Sequence, residues 1–542
     1  MMQLHDYSAG CLLGFIGLVW LWAAEKFFVQ ASLFESPPIT RHPLCFRAAR
    51  LGFDLAISAL ILLTLSRPWL LLIVAADFLL SLALVAQNHY FHRTCSLRHI
   101  ARNFREGLKA STYAFRIIPP AAWAGLAGAL AVKVILILRL APESLRFQHR
   151  AWVIGLLIAA VFAGLLALQF TSFRFSSIQR NSITRCVYAY GYFMSWFADL
   201  LFAPGNKTLM REVTQLQEVS PDRLADTEPP WPVGDKVVIL QLESVGWNAL
   251  DLNINGQEVM PCLNDLAYSN RLFKIQAYHN IGTADMDYAV LSGGTPSDHT
   301  IGYYVPGLAY PRALPRFMQK HGFRTVALHG VTGEFYNRRS NFKRMGFDEL
   351  IFSEEFHGRP VRRSYWGVRD EELLRLSAQK LNQSTRREFH FIITLDTHGQ
   401  FDLVGEEEKE IFPGSRIWQQ NYFNSLRVLD RNLRNYIESL PAGTLVILYG
   451  DHTAGVNYGE FQSARYGSIE YVPCIVHVCQ TPATWVPEPA RQAPLPYDLR
   501  ILDIINFLRG QISARGKGID YVKPGPSTHS SVTVEAIRFQ DI

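Results

Sequence analysis

The hydrophobic pattern divides the chain into two unlike parts. The first 170 residues are dominated by Leu, Ala, Ile, Phe and Val, and they contain five long apolar stretches, at 7–24, 51–66, 68–86, 119–138 and 151–170. A helix needs about 20 apolar residues to cross the roughly 30 Å hydrocarbon core of a bilayer. We therefore predict that residues 1–170 form a five-span helical membrane domain.

Three ionisable residues, Asp54, Asp77 and Lys133, lie inside these apolar stretches. Such groups are costly in hydrocarbon and are usually functional or paired. A transport function would need a larger helical bundle than this one. We therefore expect the three residues to pair with one another or to lie near helix ends.

The rest of the chain has the pattern of a soluble α/β domain. Residues 171–235 are predicted to form interfacial helices at 186–203 and 207–219, followed by a Pro-rich linker that cannot be helix interior. From Lys236 onward, short apolar runs alternate with helix-like segments, which is typical of a mostly parallel sheet. Residues 236–542 are thus the predicted catalytic domain.

Four apolar runs in this domain each end in polar residues. The runs are 237–242, 325–328, 389–395 and 445–449, and the residues at or after their ends are Glu243, His329, Asp396, His398, Asp451 and His452. Nearly continuous apolar runs indicate strands covered on both faces. The carboxyl ends of parallel strands meet at one edge of a sheet, where ligands bind. We therefore expect these polar side chains to form one site.

Glu243, Asp451 and His452 are the candidate metal ligands. Carboxylates combined with imidazole suit a divalent transition metal such as manganese or zinc better than calcium. The adjacent pair Asp451 and His452 alone also fits a buried structural pair, so the metal hypothesis depends on the whole set.

Thr283 is the candidate nucleophile, because it follows Gly282 in a turn that opens a predicted helix. Backbone N–H groups and the helix dipole stabilise a phosphate at such a position. An ordinary N-cap threonine is the alternative. Beside the metal ligands, the Thr283 oxygen would be a fourth ligand, and the ion would activate this hydroxyl for attack on phosphorus.

A second group of residues suits substrate binding. His329 opens a segment that carries Tyr336 and Arg338, and the planar guanidinium of Arg338 would clamp phosphate oxygens. Arg339 competes for that role. His398 would protonate the leaving alkoxide or orient the phosphodiester. A structural role remains the alternative for each single histidine.

Charge and cysteine content exclude some classes of function. The net charge of +6 is small for 542 residues, and the Lys and Arg residues are dispersed, so the sequence gives no indication of nucleic-acid binding. The positive charge is better explained by attraction to anionic lipid. The seven cysteines form no C-x-x-C pair or Cys/His cluster, so neither a disulfide framework nor structural zinc is indicated.

Several motifs in this order resemble lipoteichoic acid synthase and related phosphoglycerol transferases of the alkaline phosphatase superfamily. They are Leu-Glu243-Ser, Gly-Thr283-Ala-Asp, Phe-Tyr336-Asn-Arg338, Thr-Leu-Asp-Thr-His398 and Gly-Asp451-His452. The family often has Trp where this chain has Tyr336, and Asn where it has Thr397. The Cys-x-Pro/Ser-x-Arg motif of true sulfatases is absent near position 283, which disfavours sulfate-ester hydrolysis.

The resemblance implies a fold and a set of roles. The fold would be an alkaline-phosphatase-like α/β domain with a central, mostly parallel sheet. One divalent ion, manganese with zinc or magnesium as alternatives, would be held by Glu243, Thr283, Asp451 and His452. Thr283 would be the nucleophile, and the substrate would be bound by His329, Tyr336, Arg338 and His398.

The resemblance also implies a reaction at a membrane. A phosphoglycerol group would move from a phospholipid donor, through a phospho-threonine, to a hydroxyl of an envelope glycan or glycolipid. The alternatives are phosphoethanolamine transfer to lipid A or a polysaccharide, hydrolysis of a phosphodiester or sulfate ester, and an inactive membrane scaffold. No nucleic-acid partner is implied.

The expected location is the bacterial inner (cytoplasmic) membrane, with the catalytic domain facing outward. The distribution of Lys and Arg among the predicted loops disagrees, because basic loops usually face the cytoplasm and here they share the side of the large domain. The resemblance takes precedence over the charge distribution in this expectation.

Overall fold

The computed structural model describes residues 9–31, 44–91, 118–139, 150–169, 228–279, 282–297, 300–399, 401, 403–454, 470–479 and 499–516, with a few single residues between 97 and 224. Most of the predicted interfacial helices at 186–203 and 207–219 lie outside the described residues. The Pro-rich segment 228–235 has no regular secondary structure apart from its bends, as its sequence predicts.

Five helices occupy the five apolar stretches of the first part. They are α1 (Ala9–Ala31), α2 (Leu44–Thr64), α3 (Arg67–Phe91), α4 (Pro120–Arg139) and α5 (Arg150–Gln169). Helix α1 packs against α2, α3 and α4, and α2 packs against α5. Among the described residues, Arg67–Ala86 and Pro120–Arg139 are long and apolar enough to cross a bilayer, whereas Leu51–Thr64 and Ala151–Ala163 are shorter. Five spans therefore remain a prediction.

Four buried charged side chains from α1, α3 and α4 form a network that we call the helix charge network: Glu25, Lys26, Asp77 and Lys133. Lys26 Nζ lies 2.5 Å from an Asp77 oxygen, and Lys133 Nζ lies 2.5 Å from a Glu25 oxygen. Lys133 is also 3.5 Å from Asp77, so these two residues pair as expected. Two lysines face two carboxylates, and the network is electrically balanced.

The second part is built on one eight-stranded sheet. Its strands are β1 (Lys236–Leu242), β4 (Arg271–Gln276), β5 (Phe323–His329), β6 (Glu349–Ile351), β7 (Arg387–Ile393), β8 (Leu445–Gly450), β9 (Tyr471–Val478) and β10 (Leu499–Arg500). The order is β10-β4-β9-β8-β1-β7-β5-β6. Strands β8, β1, β7, β5 and β6 are mutually parallel, and β9 runs antiparallel to both β8 and β4. A small hairpin, β2 (Asn253–Ile254) and β3 (Gln257–Glu258), lies apart from this sheet.

Apolar layers cover both faces of the sheet. In β1, Val237 and Ile239 belong to one buried cluster, and Val238 and Leu240 belong to the other. The described residues of this part contain seven α-helices: α6 (Pro261–Ser269), α7 (Ala284–Ser292), α8 (Leu314–Lys320), α9 (Arg338–Met345), α10 (Asp370–Gln383), α11 (Trp418–Ser439) and α12 (Ile501–Gly516). Helix α7 packs with α12, and α11 packs with α6 and α10.

All four strands predicted from the apolar runs are present as β1, β5, β7 and β8. They lie side by side in the order β8-β1-β7-β5 and run parallel. Their carboxyl ends therefore share one edge of the sheet, as the sequence predicts. The rest of the site is built on this edge.

Candidate metal centre and active site

The three predicted metal ligands come together at this edge. Glu243 directly follows β1, while Asp451 and His452 directly follow the neighbouring strand β8. One ligand atom from each residue lies within 4.8 Å of the other two. His452 Nε2 is 3.4 Å from Glu243 Oε1 and 3.6 Å from Asp451 Oδ2.

The local backbone aims Asp451 and His452 at a common point. Asp451 Oδ1 accepts the N–H groups of Ser244 and His452, both at 2.8 Å, while the buried Oδ2 has no hydrogen-bond partner. His452 Nδ1–H donates to the Thr453 carbonyl at 2.7 Å, and the buried Nε2 has no hydrogen-bond partner. Such a bond on one imidazole nitrogen fixes the other nitrogen for a metal ion.

The charges at this point favour a cation. Burial raises the pKa of Asp451 well above its usual range, and the nearby Glu243 carboxylate raises it further. Burial lowers the pKa of His452, but the Asp451 and Glu243 carboxylates outweigh burial and raise it to about 10. Four ligands placed tetrahedrally about 2.1 Å from an ion lie roughly 3.4 Å apart. Two oxygen donors and one imidazole at these separations fit a divalent transition metal.

The turn that carries Glu243 is firmly held. Ser244 has φ 56°, in the left-handed region that is unfavourable for most residues other than glycine. Thr394 Oγ1 accepts the Glu243 N–H at 2.9 Å, Thr397 Oγ1 donates to the Glu243 carbonyl, and Tyr422 Oη donates to the Ser244 carbonyl at 2.7 Å. Contacts from the β7 end and α11 thus keep an unfavourable backbone conformation beside the ligand.

Thr283 immediately precedes α7 and is almost fully buried. Its side chain makes no capping hydrogen bond, so the N-cap alternative does not account for this residue. The Tyr336 side chain lies beside Thr283; burial raises the pKa of Tyr336, and the Thr283 side chain acts against this larger effect to lower it. A Cβ atom at position 282 would lie 3.0 Å from Tyr336 Oη, so Gly282 leaves room for that hydroxyl.

Arg338 is buried and already engaged by protein groups. Its Nε and Nη2 donate to the two carboxylate oxygens of Asp287, at 2.9 and 3.3 Å, and its Nη1 lies 3.3 Å from His329 Nε2. Arg339 instead pairs with Glu354 and Glu355 at a partly exposed position. Of the two arginines considered from the sequence, only Arg338 therefore points into the site.

His329 is held as a neutral imidazole. Burial lowers its pKa, and the Arg338 guanidinium lowers it further, to about 3. Its Nδ1–H donates to the Ile393 carbonyl at 3.1 Å, which leaves Nε2 as an acceptor for Arg338. His329 and Asp287 together orient the guanidinium of Arg338.

His398 faces the metal ligands from the loop after β7. Burial raises the pKa of Glu243, but His398 and His452 outweigh it and hold that pKa at about 2. The His398 ring packs against Trp366, with 4.5 Å between ring centroids. Asp396, which also follows β7, instead accepts a 2.8 Å hydrogen bond from Arg369 Nε and lies outside the ligand cluster.

Two residues near His452 were missed by the sequence interpretation. His279 stacks on the His452 ring, with 4.1 Å between centroids and 11° between planes. Glu470 lies 2.9 Å from His279 Nδ1 through one oxygen and accepts the N–H and hydroxyl of Thr453 through the other, both at 3.0 Å. These contacts hold the segment that carries His452. The only sequence signal was a histidine four residues before Thr283.

The parallel sheet and the ligand cluster at its carboxyl edge define an alkaline-phosphatase-like α/β domain. Residues 235–495 match the sulfatase family. The chain therefore carries a sulfatase-family domain.

Curated relatives of this chain bear the name lipoteichoic acid synthase. The lipoteichoic acid synthase-like protein YvgJ of Bacillus subtilis is 24% identical over 45% of this chain and 43% of its own length. Lipoteichoic acid synthase of Staphylococcus saprophyticus is 22% identical over 54% of this chain and 50% of its own length. The chain thus spans about half the length of these curated relatives.

One solved structure resembles both parts of the chain. The integral membrane protein lipooligosaccharide phosphoethanolamine transferase A (EptA) of Neisseria meningitidis is 13% identical, has a TM-score of 0.56, and covers 93% of this chain and 95% of its own. At this identity the likeness concerns the fold. It supports a helical domain joined to an α/β domain in one chain.

Proposed function

We propose that the chain is a membrane-anchored, metal-dependent phosphotransferase that moves a phosphoglycerol group from a phospholipid to a hydroxyl of an envelope glycan or glycolipid. The observation that carries this proposal is the convergence of Glu243, Asp451 and His452 within 4.8 Å, in a sulfatase-family domain. The curated relatives bear the name lipoteichoic acid synthase, and the resemblance of the sequence motifs to that family and to related phosphoglycerol transferases supports phosphoglycerol as the transferred group.

The first group of residues in this proposal forms the metal site. Glu243, Asp451, His452 and the Thr283 oxygen would hold one divalent ion, manganese in our proposal, with zinc or magnesium as alternatives. When bound, that ion would lower the pKa of the Thr283 hydroxyl and polarise the phosphoryl group. Two buried carboxylates and two buried polar atoms that lack hydrogen-bond partners support this assignment.

The residues of the chain then divide the reaction into two displacements. In the first, the Thr283 alkoxide oxygen forms a bond to phosphorus, the bond from phosphorus to the diacylglycerol oxygen breaks, and protonated His398 gives that oxygen a proton. In the second, an acceptor hydroxyl attacks the same phosphorus, His398 takes its proton, and the bond to Thr283 breaks, which returns the Thr283 alkoxide and protonated His398. Arg338, oriented by His329, would bind the phosphate oxygens, and Tyr336 would position the Thr283 hydroxyl.

The location follows from the same proposal. We place the five helices in the bacterial cytoplasmic membrane, with residues 1–170 as the membrane domain, 171–235 as the interfacial segment and 236–542 as the catalytic domain on the outer face. The fold shared with an integral membrane protein over 93% of the chain supports this arrangement. Basic loops on that side would attract anionic phospholipid.

The decisive experiment replaces the nucleophile. Thr283→Ala should lower diacylglycerol release from labelled phosphatidylglycerol by at least about 10³-fold, because removing a nucleophile removes the covalent route. Circular dichroism should be unchanged, and a metal ion should still bind through Glu243, Asp451 and His452. Thr385→Ala, at an exposed position, is the matched control. Full activity of Thr283→Ala would exclude the phospho-threonine mechanism.

The second candidate is a phosphoethanolamine transferase, which the shared fold with EptA favours. The same assay separates the candidates when labelled phosphatidylethanolamine replaces phosphatidylglycerol, because only the true donor releases diacylglycerol. Free glycerol phosphate without an acceptor would indicate a hydrolase. Absence of both bound metal and donor turnover would indicate an inactive scaffold.

A further inference from the structure

His398 lies on a short turn just after β7, at residues 395–398. The His398 N–H donates to the Leu395 carbonyl at 2.8 Å, and this hydrogen bond closes the turn. The same turn contacts a candidate metal ligand, because Thr397 Oγ1 donates to the Glu243 carbonyl. The position of the His398 ring relative to the metal site therefore depends on how firmly this turn is held.

Asp370, the first residue of α10, holds the turn through its buried carboxylate. One carboxylate oxygen accepts the Leu395 N–H at 2.7 Å, and the other accepts the Asp396 N–H at 2.9 Å. Both oxygens must be acceptors in this arrangement. An asparagine has one acceptor oxygen and an NH₂ group that only donates, so it cannot make both contacts.

The contact between α10 and the turn is reciprocal. Asp396 Oδ1 accepts a hydrogen bond from Arg369 Nε at 2.8 Å, and Asp396 Oδ2 accepts the Asp370 N–H at 3.4 Å. Arg369 also pairs with Glu408 at 3.1 Å. Buried polar groups that satisfy one another in this way make a region rigid. The start of α10 and the segment after β7 are thus fixed relative to each other.

The His398 ring would register any displacement of this turn. It packs on Trp366, which lies four residues before Asp370 and donates its Nε1–H to the Gly399 carbonyl at 3.1 Å. Asp370 itself belongs to neither group of potential metal ligands found among the described residues. Its influence on the site therefore passes through the turn that carries His398.

We propose that Asp370 is a positioning residue, which holds the turn at 395–398 so that His398 can give its proton to the leaving oxygen. This inference rests on the proposed function and adds a residue that does not touch the substrate. Proton transfer requires the imidazole to lie within hydrogen-bond reach of the oxygen that receives the proton. Loss of one of the two backbone contacts of Asp370 should displace the imidazole and slow the first displacement.

The test compares two donors that differ in their need for a proton. The full chain in lipid nanodiscs with manganese receives the phenyl or the p-nitrophenyl ester of glycerol phosphate. The measured quantity is kcat/KM for phenol release, which reports the first displacement. Asp370→Asn should lower kcat/KM for the phenyl ester about 10- to 100-fold. The p-nitrophenyl ester should keep its wild-type value, because nitrophenolate leaves without a proton. His398→Gln should discriminate between the esters in the same direction.

Asp430→Asn is the matched control. Asp430 is also buried, and its two carboxylate oxygens accept the N–H groups of Cys262 and Leu263, at 3.0 and 2.8 Å. The substitution therefore removes the same kind of contact from the start of α6, and it should leave the ratio of the two kcat/KM values unchanged. An equal loss for both esters in Asp370→Asn, wild-type values for both, or the same change of ratio in Asp430→Asn would overturn the inference.

A second measurement needs neither turnover nor metal. In NMR spectra of the metal-free full chain labelled at histidine, the His398 ring resonance, assigned with His398→Gln, reports the ring current of Trp366. This resonance should shift in Asp370→Asn and should not shift in Asp430→Asn. An unchanged resonance in Asp370→Asn would refute the positioning role. If the wild-type protein releases no diacylglycerol from phosphatidylglycerol, the proposed function fails, whereas the spectra still decide whether Asp370 positions His398.

Discussion

The chain buries charge in two places, and the two clusters are built in opposite ways. In the helix charge network, each of two lysines lies 2.5 Å from a carboxylate, and positive and negative charges are equal in number. At the edge of the sheet, two carboxylates share one imidazole, whose Nε2 lies 3.4 Å from Glu243 and 3.6 Å from Asp451. Both clusters are almost completely shielded from solvent.

This difference separates a structural role from a binding role. A buried ion is costly unless it is paired, so a balanced network satisfies itself and needs no ligand. A cluster in which two carboxylates share one imidazole lacks a second positive partner, and a bound cation would supply it. The same physical argument indicates a structural contact between helices in one region and a candidate metal site in the other.

The largest effect is expected for metal binding by the cluster of Glu243, Asp451 and His452. Asp451→Asn should abolish stable metal binding, because it removes one of two anionic ligands while keeping the oxygen that accepts backbone N–H groups. Loss of affinity should exceed the roughly 100-fold that loss of a supporting contact costs. In the metal-free state the variant should be at least as stable as the wild type, since repulsion from Glu243 is relieved.

Metal titration by calorimetry and thermal unfolding after chelation measure these two quantities. Asp265→Asn, at a side chain that is 70% exposed, is the matched control and should change neither. Wild-type metal affinity in Asp451→Asn would show that the cluster is not a metal site.

In the helix charge network, removing one charge should lower the stability of the protein, not preserve it. Lys133→Met leaves Glu25 without its nearest positive partner, which should destabilise the helical part by about 3–5 kcal/mol. The double variant Lys133→Met with Glu25→Gln restores the balance of charge and should recover most of that loss. Thermal unfolding in nanodiscs compares the single and double variants. If the double variant is the less stable of the two, charge balance is not what holds these helices.

A smaller effect on metal affinity is expected from residues that support His452 without being candidate ligands. Glu470→Gln should weaken metal affinity about 10- to 100-fold, because Glu470 anchors Thr453 and His279, which position His452. The fold should be preserved, as judged by circular dichroism. Glu334→Gln, exposed on a nearby loop, is the control. An unchanged metal affinity would show that Glu470 does not position His452 for metal binding.

Local patterns were sufficient for four adjacent strands of the sheet and for the candidate ligands that follow them. The continuous apolar runs predicted β1, β5, β7 and β8, and parallel topology then requires their ends to meet, which brings Glu243, Asp451 and His452 together. The five apolar stretches likewise predicted five helices. Whether all five cross a membrane depends on the lipid environment and not on the hydrophobic pattern alone.

The contacts between distant segments could not be predicted from one sequence. By its position in the sequence, Asp287 is a first-turn residue of α7. Its hydrogen bond from Arg338 joins positions 51 residues apart, which the sequence does not reveal. Whether the Thr283 hydroxyl caps its helix depends on side-chain geometry that no motif encodes. Glu470 belongs to none of the sequence motifs. It reaches Thr453 because β9, the strand that follows it, pairs with β8.

That strand, β9, has a consequence for how relatives of this chain can differ. Because β9 runs against its neighbours, it begins at the edge where β8 finishes, so Ala454 and Glu470 both lie at the catalytic side of the sheet. A connection that leaves and re-enters at the same edge can gain or lose residues without altering strand register. Evolution can therefore remodel the surroundings of the reaction here while the sheet stays as it is.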